Sequence, residues 1–352
     1  MDYKKELIKF IESLVKEGGS DLHFVSGSNP TIRVSGTLTP LLKEKKLTGD
    51  DTLGLISELL TPEQKEYFLK NREIDFSYAH ESARFRGNGY FQQGTAAVAL
   101  RLVPKEIKTV AELGLPPILE NFAQREQGFF LVVGPVGQGK STTLASLINL
   151  INEQRTEHIV TIEDPIEYIF ENKRSMIDQR EVRIDTRSFQ TALKAVFRQD
   201  VDVIMIGEMR GPETMAAAVT AAETGHLVFS TLHTNNAAQT IDRIIDAFPA
   251  NQQDQIRLQL AASLAGIFSQ RLVPRVSGGL VPAYELLINN KAVANLIREK
   301  RSHEINTVIE TGLEDGMIDM NRNLSDLVRR GEITVENAYA RSLNSQALDR
   351  LL

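Results

Sequence analysis

Gly134-Pro135-Val136-Gly137-Gln138-Gly139-Lys140-Ser141-Thr142-Thr143 leaves few architectures open to this chain. The apolar run Leu131 to Val133 leads straight into it, and an apolar-periodic segment, Leu144 through Ile151, leads out. That order predicts strand, loop, helix. The glycines let the loop curl so that successive backbone N–H groups point inward, and the helix opening at Lys140 adds its positive N-terminal end, which together make a cradle for phosphate. The spacing G-x-x-x-x-G-K-[ST] makes Gly134, Pro135, Val136, Gly137, Gln138, Gly139, Lys140, Ser141 and Thr142 the candidate nucleotide contacts. Lys140 is placed to reach the β- and γ-phosphates and the Ser141 hydroxyl to coordinate Mg²⁺. A glycine-rich turn that fits the pattern by accident has no need of the flanking strand and helix, and both are signalled here.

The chain has 352 residues, which is long for one core, so two domains are expected. With 42% hydrophobic and 24% charged residues it has the composition of an ordinary globular protein. A net charge of -6 supplies no global attraction to nucleic acid or anionic lipid, so no specific nucleic acid is expected as a partner. The absence of cysteine excludes disulfides and Cys-ligated zinc, and the six histidines form no close H-x-x-x-H pair. Met1 to Lys16 alternates charged with apolar residues, unlike a signal peptide, and no eighteen-residue apolar run occurs. The expected location is cytoplasmic, with membrane contact only through partners.

Along the chain, Leu7, Ile8, Ile11, Leu14 and Val15 recur at helical spacing and predict an amphipathic helix ending near Gly18-Gly19. Residues 20–24 and 31–35 alternate like strands, a helix is expected over 49–60, and strands over 74–78, 83–91 and 96–102. Residues 1–103 thus read as a small α+β domain, and the proline- and glycine-marked stretch 104–117 as a linker, with the boundary near Pro104. From 118 to 352 the pattern is strand 129–133, helix 140–152, strand 158–163, helix 186–198, strand 202–206, helix 212–224 and strand 227–231. This is an α/β domain with a parallel sheet and crossover helices. From Asn251 onward helical periodicity is expected to dominate.

In open parallel sheets ligands sit at the carboxyl ends of the strands. The expected strand ends here are polar: Thr161-Ile162-Glu163-Asp164-Pro165, Ile206-Gly207-Glu208-Met209-Arg210, and Ser230-Thr231-Leu232-His233. A carboxylate beside a metal-bound γ-phosphate can orient attacking water or hold the metal's water shell, which makes Glu163 and Glu208 candidates. Singly, each is an ordinary strand-end charge; their pairing with a phosphate loop on neighbouring strands raises them above that. His233 is a candidate γ-phosphate sensor, although a lone histidine at a strand end is usually structural.

The phosphate loop, Ile162-Glu163-Asp164-Pro165-Ile166-Glu167-Tyr168, Gly207-Glu208-Met209-Arg210, and Thr220 to Val228 with Thr231-Leu232-His233-Thr234 resemble the secretion ATPase superfamily. Within it the chain is most similar to the type IV pilus retraction ATPases, over nearly its whole length, since Ser20-Asp21-Leu22-His23 and Ala83-Arg84-Phe85-Arg86 match that family's N-terminal domain. The resemblance implies a PAS-like domain before a RecA-like P-loop domain, and a homohexamer in which ATP with Mg²⁺ lies between domains and is completed by a neighbouring subunit. It further implies ATP hydrolysis that powers pilus retraction and twitching motility, an inner-membrane platform protein as partner, and a place at the inner face of the cytoplasmic membrane. Residue by residue, it implies Glu163 as the activator of water, Glu208 as the Walker B-type glutamate beside the metal, and His233 as the His-box histidine. Arg86 and Arg101 are implied as arginines that approach the phosphates, with Arg198 and Arg210 as weaker candidates.

The chain departs from that pattern twice. Ala292-Val293-Ala294-Asn295-Leu296-Ile297-Arg298-Glu299 carries Ala294 where the family has an arginine, in a motif tied to retraction rather than hydrolysis. The loop reads Pro135-Val136-Gly137-Gln138 where Pro-Thr-Gly-Ser is common. The alternative expectations are a pilus-assembly or type II secretion ATPase, which commonly adds a long N-terminal region and a tetracysteine site; a RecA-like nucleic-acid translocase, which salt-dependent stimulation by DNA would reveal; and a nucleotide-gated scaffold without turnover.

Overall fold

The computed structural model describes residues 2–34, 36–80, 83–103 and 106–352. Pro104, where the linker is expected to begin, Ser35, the last residue of the expected strand 31–35, and Met1 lie outside the described residues. Internal packing divides the chain into two units: Met1–Glu106 with Pro165–Ile169, and Ile107–Asp164 with Phe170–Leu352.

The first unit opens with helix α1 (Tyr3–Lys16), capped by the Asp2 carboxylate, which accepts a hydrogen bond from the Lys5 backbone N–H. Leu7, Phe10, Ile11 and Leu14 form its buried stripe. Strands β1 (Asp21–Phe24), β2 (Thr31–Val34) and β3 (Thr37–Pro40) precede helices α2 (Gly49–Leu59) and α3 (Pro62–Asn71). Strands β4 (Glu73–His80), β5 (Ala83–Gln92) and β6 (Thr95–Val103) complete a six-stranded sheet of order β3-β2-β1-β6-β5-β4. Its neighbouring strands are all antiparallel. Capping boxes start both internal helices, Thr48 with Asp51 and Thr61 with Gln64. The sequence reading missed β3, which is exposed throughout and so lacks alternation, and α3, whose one buried residue is Phe68.

The second unit contains α4 (Leu119–Ala123), β7 (Gly128–Val133), α5 (Lys140–Gln154), β8 (His158–Glu163), β9 (Met176–Glu181), α6 (Phe189–Val196), β10 (Val203–Ile206), α7 (Pro212–Glu223) and β11 (Leu227–Leu232). It continues through α8 (Ala237–Asp246), α9 (Ala250–Ser263), β12 (Leu264–Pro274), β13 (Leu280–Ile288), α10 (Lys291–Arg298), α11 (Ile305–Thr311), α12 (Met320–Arg329), α13 (Val335–Arg341) and α14 (Ser345–Asp349). The sheet order is β13-β12-β7-β11-β10-β8-β9, parallel except for the antiparallel β12–β13 pair. Every residue of β7, β10 and β11 is buried, as strands covered on both faces require. This is the α/β class expected, with a largely parallel sheet after an antiparallel-sheet unit.

One expectation is corrected. Helical periodicity does not dominate from Asn251 onward, because the β12–β13 hairpin over Leu264–Ile288 extends the sheet beside β7. Its first seven residues are all buried, and the first five, Leu264 to Phe268, form an apolar run with no period-two signal. Gly278 and Gly279, both at positive φ, turn the hairpin and were its one local cue. Beyond it, α12, α13 and α14 pack Leu324, Leu327, Ala338 and Leu348 on Val273, Val281 and Ala283. Among the described residues, no helix is long and apolar enough to cross a membrane.

Candidate nucleotide-phosphate site

Parallel register brings the carboxyl ends of β7, β11, β10 and β8 to one edge of the sheet, so the loops after these strands share one rim. The loop after β7 runs from Gly134 to Gly139, where α5 begins. A side chain at Gly134, which has φ +145°, would collide with the Gln270 carbonyl oxygen of β12. Gly139 caps α5 at φ +80°, and a Cβ there would lie 2.9 Å from Gln270 Nε2. Glycine is therefore required at both ends of the loop for backbone and for space.

Lys140 is buried, and its ammonium donates to the carbonyls of Gly134 at 2.9 Å and Pro135 at 2.8 Å. It also lies 3.3 Å from His233 Nδ1. An ammonium only donates, so Nδ1 is the accepting nitrogen and the ring proton sits on Nε2. That nitrogen faces Glu208 Oε2 at 3.5 Å, and Glu208 pairs in turn with Arg210. Lys140, His233, Glu208 and Arg210 thus form one row across the ends of β7, β11 and β10. Side chains on β11 shape the turn that carries Glu208: Thr231 Oγ1 donates to the Gly207 carbonyl at 2.7 Å and Ser230 Oγ to the Ile206 carbonyl at 2.9 Å.

Glu163 ends β8 with 5% of its surface exposed. Its carboxylate accepts from Thr161 Oγ1 at 2.7 Å and faces Gln179 Nε2 of β9 at 3.4 Å. A Cβ on Gly207 would sit 3.4 Å from the Glu163 backbone, so the turn bearing Glu208 runs directly beside Glu163. Ser141 and Thr142 are half-buried in the first turn of α5, Val136 and Gly137 are exposed at the crown of the loop, and Arg198 is exposed just past α6.

Arg86 and Arg101 belong to the first unit, directly opposite one another on β5 and β6. Arg101 Nε is 2.8 Å from Asp21 Oδ1, and Ser20 Oγ donates to Asp21 Oδ2 at 2.8 Å. Burial works against the Asp21 charge, but these hydrogen bonds outweigh it and hold the carboxyl below its usual range. Arg86 lies 3.6 Å from Glu167, which sits in the Pro165–Ile169 segment grouped with this unit. Both partners are about half exposed, so the pair adds little stability.

Sequence reasoning missed Gln270 and Glu285. Gln270 bridges the phosphate loop: its Oε1 accepts from Thr143 Oγ1 at 2.6 Å and its Nε2 donates to the Gln138 carbonyl at 2.8 Å. The available signal was three successive polar residues, Ser269, Gln270 and Arg271, closing an apolar run. On the other side of β12, Ser269 Oγ donates to the Asn235 carbonyl at 2.8 Å and Arg271 Nη2 to Asn235 Oδ1 at 3.1 Å, which anchors the loop after His233. Glu285 of β13 accepts from the Ala237 N–H at 2.8 Å, at the start of α8.

Burial pushes the Glu285 carboxyl up to about 7; the Ala237 hydrogen bond opposes this, Asp319 adds to it and Arg271 opposes it. A carboxyl that binds its proton more tightly when folded lowers stability as pH rises from about 4.5 to about 7, and the loss is complete above that. At pH 8 the deficit is on the order of 3 kcal/mol. Glu285→Gln removes the titration, so its melting temperature relative to wild type is expected to rise between pH 5 and pH 8. A difference that stays constant across this range would show that Glu285 does not titrate there.

The model of the family described as type II/IV secretion system protein matches residues 3–279. The chain is 43% identical over 321 residues to the twitching motility protein of Neisseria gonorrhoeae, covering 91% of this chain and 86% of that one. It is 40% identical over 338 residues to the type IV pilus retraction ATPase PilT of Pseudomonas aeruginosa, covering 95% of this chain and 97% of that one. The crystal structure of the pilus retraction motor PilT with bound ADP superimposes with a TM-score of 0.91 at 45% identity, covering 97% of this chain and 98% of that one.

Proposed function

We propose, because this chain belongs to the type II/IV secretion system protein family, that it is an ATPase whose hydrolysis of ATP powers type IV pilus retraction. The observation that carries the proposal is the row Lys140, His233, Glu208 and Arg210 beside buried Glu163 at the rim of one parallel sheet. Glu208 suits a metal-bound nucleotide in either case, and it is the second carboxylate, buried Glu163, that favours turnover over binding alone. The similarity to retraction motors over nearly the whole chain supports the same reading.

In this reading the loop N–H groups and Lys140 bind the phosphates, and Glu163 accepts the proton of a water attacking the γ-phosphate in line. His233 links Lys140 to Glu208 and so ties occupation of the cradle to the turn after β10. Ser141 and Glu208 offer hard oxygen donors, which suit Mg²⁺. Among the described residues no cluster of three or more His, Cys, Asp or Glu could hold a metal alone, so substrate phosphates would complete the set. Bound there, Mg²⁺ would neutralise charge that develops on the phosphates. Arg86 and Arg101 supply positive charge to a neighbouring subunit's γ-phosphate within a ring of six copies. Residues 1–103 and 118–352 act as its two domains, joined by 104–117, and the ring works at the cytoplasmic face of the membrane on a platform protein.

The Ala294 departure makes direction the point to test. Deleting the gene in the organism of origin is expected to leave excess surface pili and abolish twitching. Bald cells would replace retraction with assembly, and unchanged pili and motility would sink both.

Within α10, Val293 and Ile297 are fully buried, whereas Leu296 is half-buried against the core. Leu296→Ala is expected to impair motility while ATPase activity persists, with a stability loss at or below the low end of the ~2–5 kcal/mol of a buried Leu→Ala. A large fall in melting temperature together with lost ATPase activity would instead make Leu296 a packing residue.

A further inference from the structure

The proposed hydrolysis gives no task to the side-chain amides of Gln270 and Gln138. We propose that they form a reciprocal staple that sets the curvature of the phosphate loop and thereby governs how long a bound nucleotide stays. The proposal rests on the reading of residues 134–143 as a nucleotide cradle.

β12 pairs with β7 in the register Ser269↔Val133, so Gln270 falls beside the first residue of the loop. Its backbone carbonyl packs against Gly134, its Nε2 donates to the Gln138 carbonyl at 2.8 Å, and its Oε1 accepts from Thr143 Oγ1 at 2.6 Å. One residue therefore touches the start, the middle and the far end of the cradle. Gln138 returns the contact, since its Oε1 accepts from the Leu272 N–H at 2.8 Å. With 3% exposure, Gln270 has no water to replace a lost partner. The partners also dictate the residue type. A carbonyl at Gln138 needs a donor and a hydroxyl at Thr143 uses an acceptor, and the primary amide of Gln270 serves the two at once from separate atoms. Glutamate could not donate, asparagine is one methylene short, and serine at 138 could not span the gap to Leu272. By contrast the crown is lightly held: Val136 is 79% exposed, a Cβ on Gly137 would meet nothing within 4 Å, and the Val136 carbonyl accepts only a long hydrogen bond, at 3.4 Å, from Gln138 Nε2 itself. Together with Lys140, which donates to the Gly134 and Pro135 carbonyls, the staple holds the N–H groups of the loop in one arrangement, and loosening it should speed nucleotide escape.

The test uses the full chain with Mg²⁺ and a fluorescent ADP analogue, following dissociation by stopped flow. Gln270→Ala and Gln138→Ser are each expected to speed dissociation about tenfold, the scale of losing one or two neutral hydrogen bonds. Gln270→Glu should not restore the wild-type rate. Thr143→Val should add little to Gln270→Ala, because both remove the same bond. A purely structural role would lower the amplitude, meaning fewer competent molecules, and leave the rate of the survivors unchanged. Should Gln270→Ala fail to fold, Gln138→Ser at its half-buried position carries the test. Wild-type dissociation rates in both variants, with binding lost in Lys140→Ala, would overturn the staple and leave the cradle standing. Tight binding by Lys140→Ala would remove the cradle reading itself, and the staple with it.

Discussion

Glu163→Gln is expected to bind ATP as wild type does and to hydrolyse it at least ~10²-fold more slowly, the loss typical of removing a positioned general base. The substitution keeps the shape of the side chain. An amide oxygen can still accept the Thr161 hydroxyl now 2.7 Å from Oε1, so the end of β8 should keep its form. What disappears is the negative charge and the capacity to take a proton from water. Steady-state turnover and equilibrium nucleotide binding, measured on the same preparation with a melting curve, separate these effects. Hydrolysis at near wild-type rate would remove Glu163 from its role and direct attention to Glu208, the other carboxylate on the rim.

Lys140→Ala is expected to lose nucleotide binding and turnover together, because the ammonium contributes in the ground state as well as in the transition state. In the structure it joins the Gly134 and Pro135 carbonyls to His233, so its removal also disconnects the cradle from Glu208. Mixing this variant with Arg101→Ala examines the ring as well. If Arg101 serves a neighbour's phosphate, some interfaces in mixed rings pair an intact cradle with an intact arginine, and activity returns. An arginine acting this way contributes about 10³–10⁵ in turnover, so rescue would be conspicuous. Arg101 also pairs with Asp21 at 2.8 Å, which makes a melting curve of Arg101→Ala a necessary companion. Mixed rings as inactive as both parents, after confirmed subunit exchange, would leave Arg101 as the partner of Asp21 and nothing more.

Much of this site is legible because its determinants are local. Strand, glycine turn and helix around Lys140 are neighbours in sequence, and the positive φ that favours glycine at Gly134 and Gly139 belongs to the loop, although the lack of room for a Cβ there comes from Gln270 of β12. The strand ends bearing Glu163 and Glu208 could also be found, since alternation of strand and helix implies a parallel sheet whose carboxyl ends share an edge. These elements, their order and the class of fold follow from short-range signals alone.

Four features depended on tertiary structure. The β12–β13 hairpin has no period of its own because both faces of β12 are covered, and burial on two faces erases the alternation that identifies a strand. Gln270 acquires its part from register: one position along β12 its amide would point away from the loop, and no local pattern sets that register. The Pro165–Ile169 segment directly follows a strand of the second unit yet packs as part of the first, where Glu167 meets Arg86. Glu285 is the same lesson in electrostatics. Its sequence neighbours are ordinary, and the carboxyl reaches about 7 because residues far along the chain close over it, with Asp319 on one side and the start of α8 on another. Local chemistry is decided by neighbours in sequence, whereas burial, register and desolvation are decided by neighbours in space, and only folding chooses those.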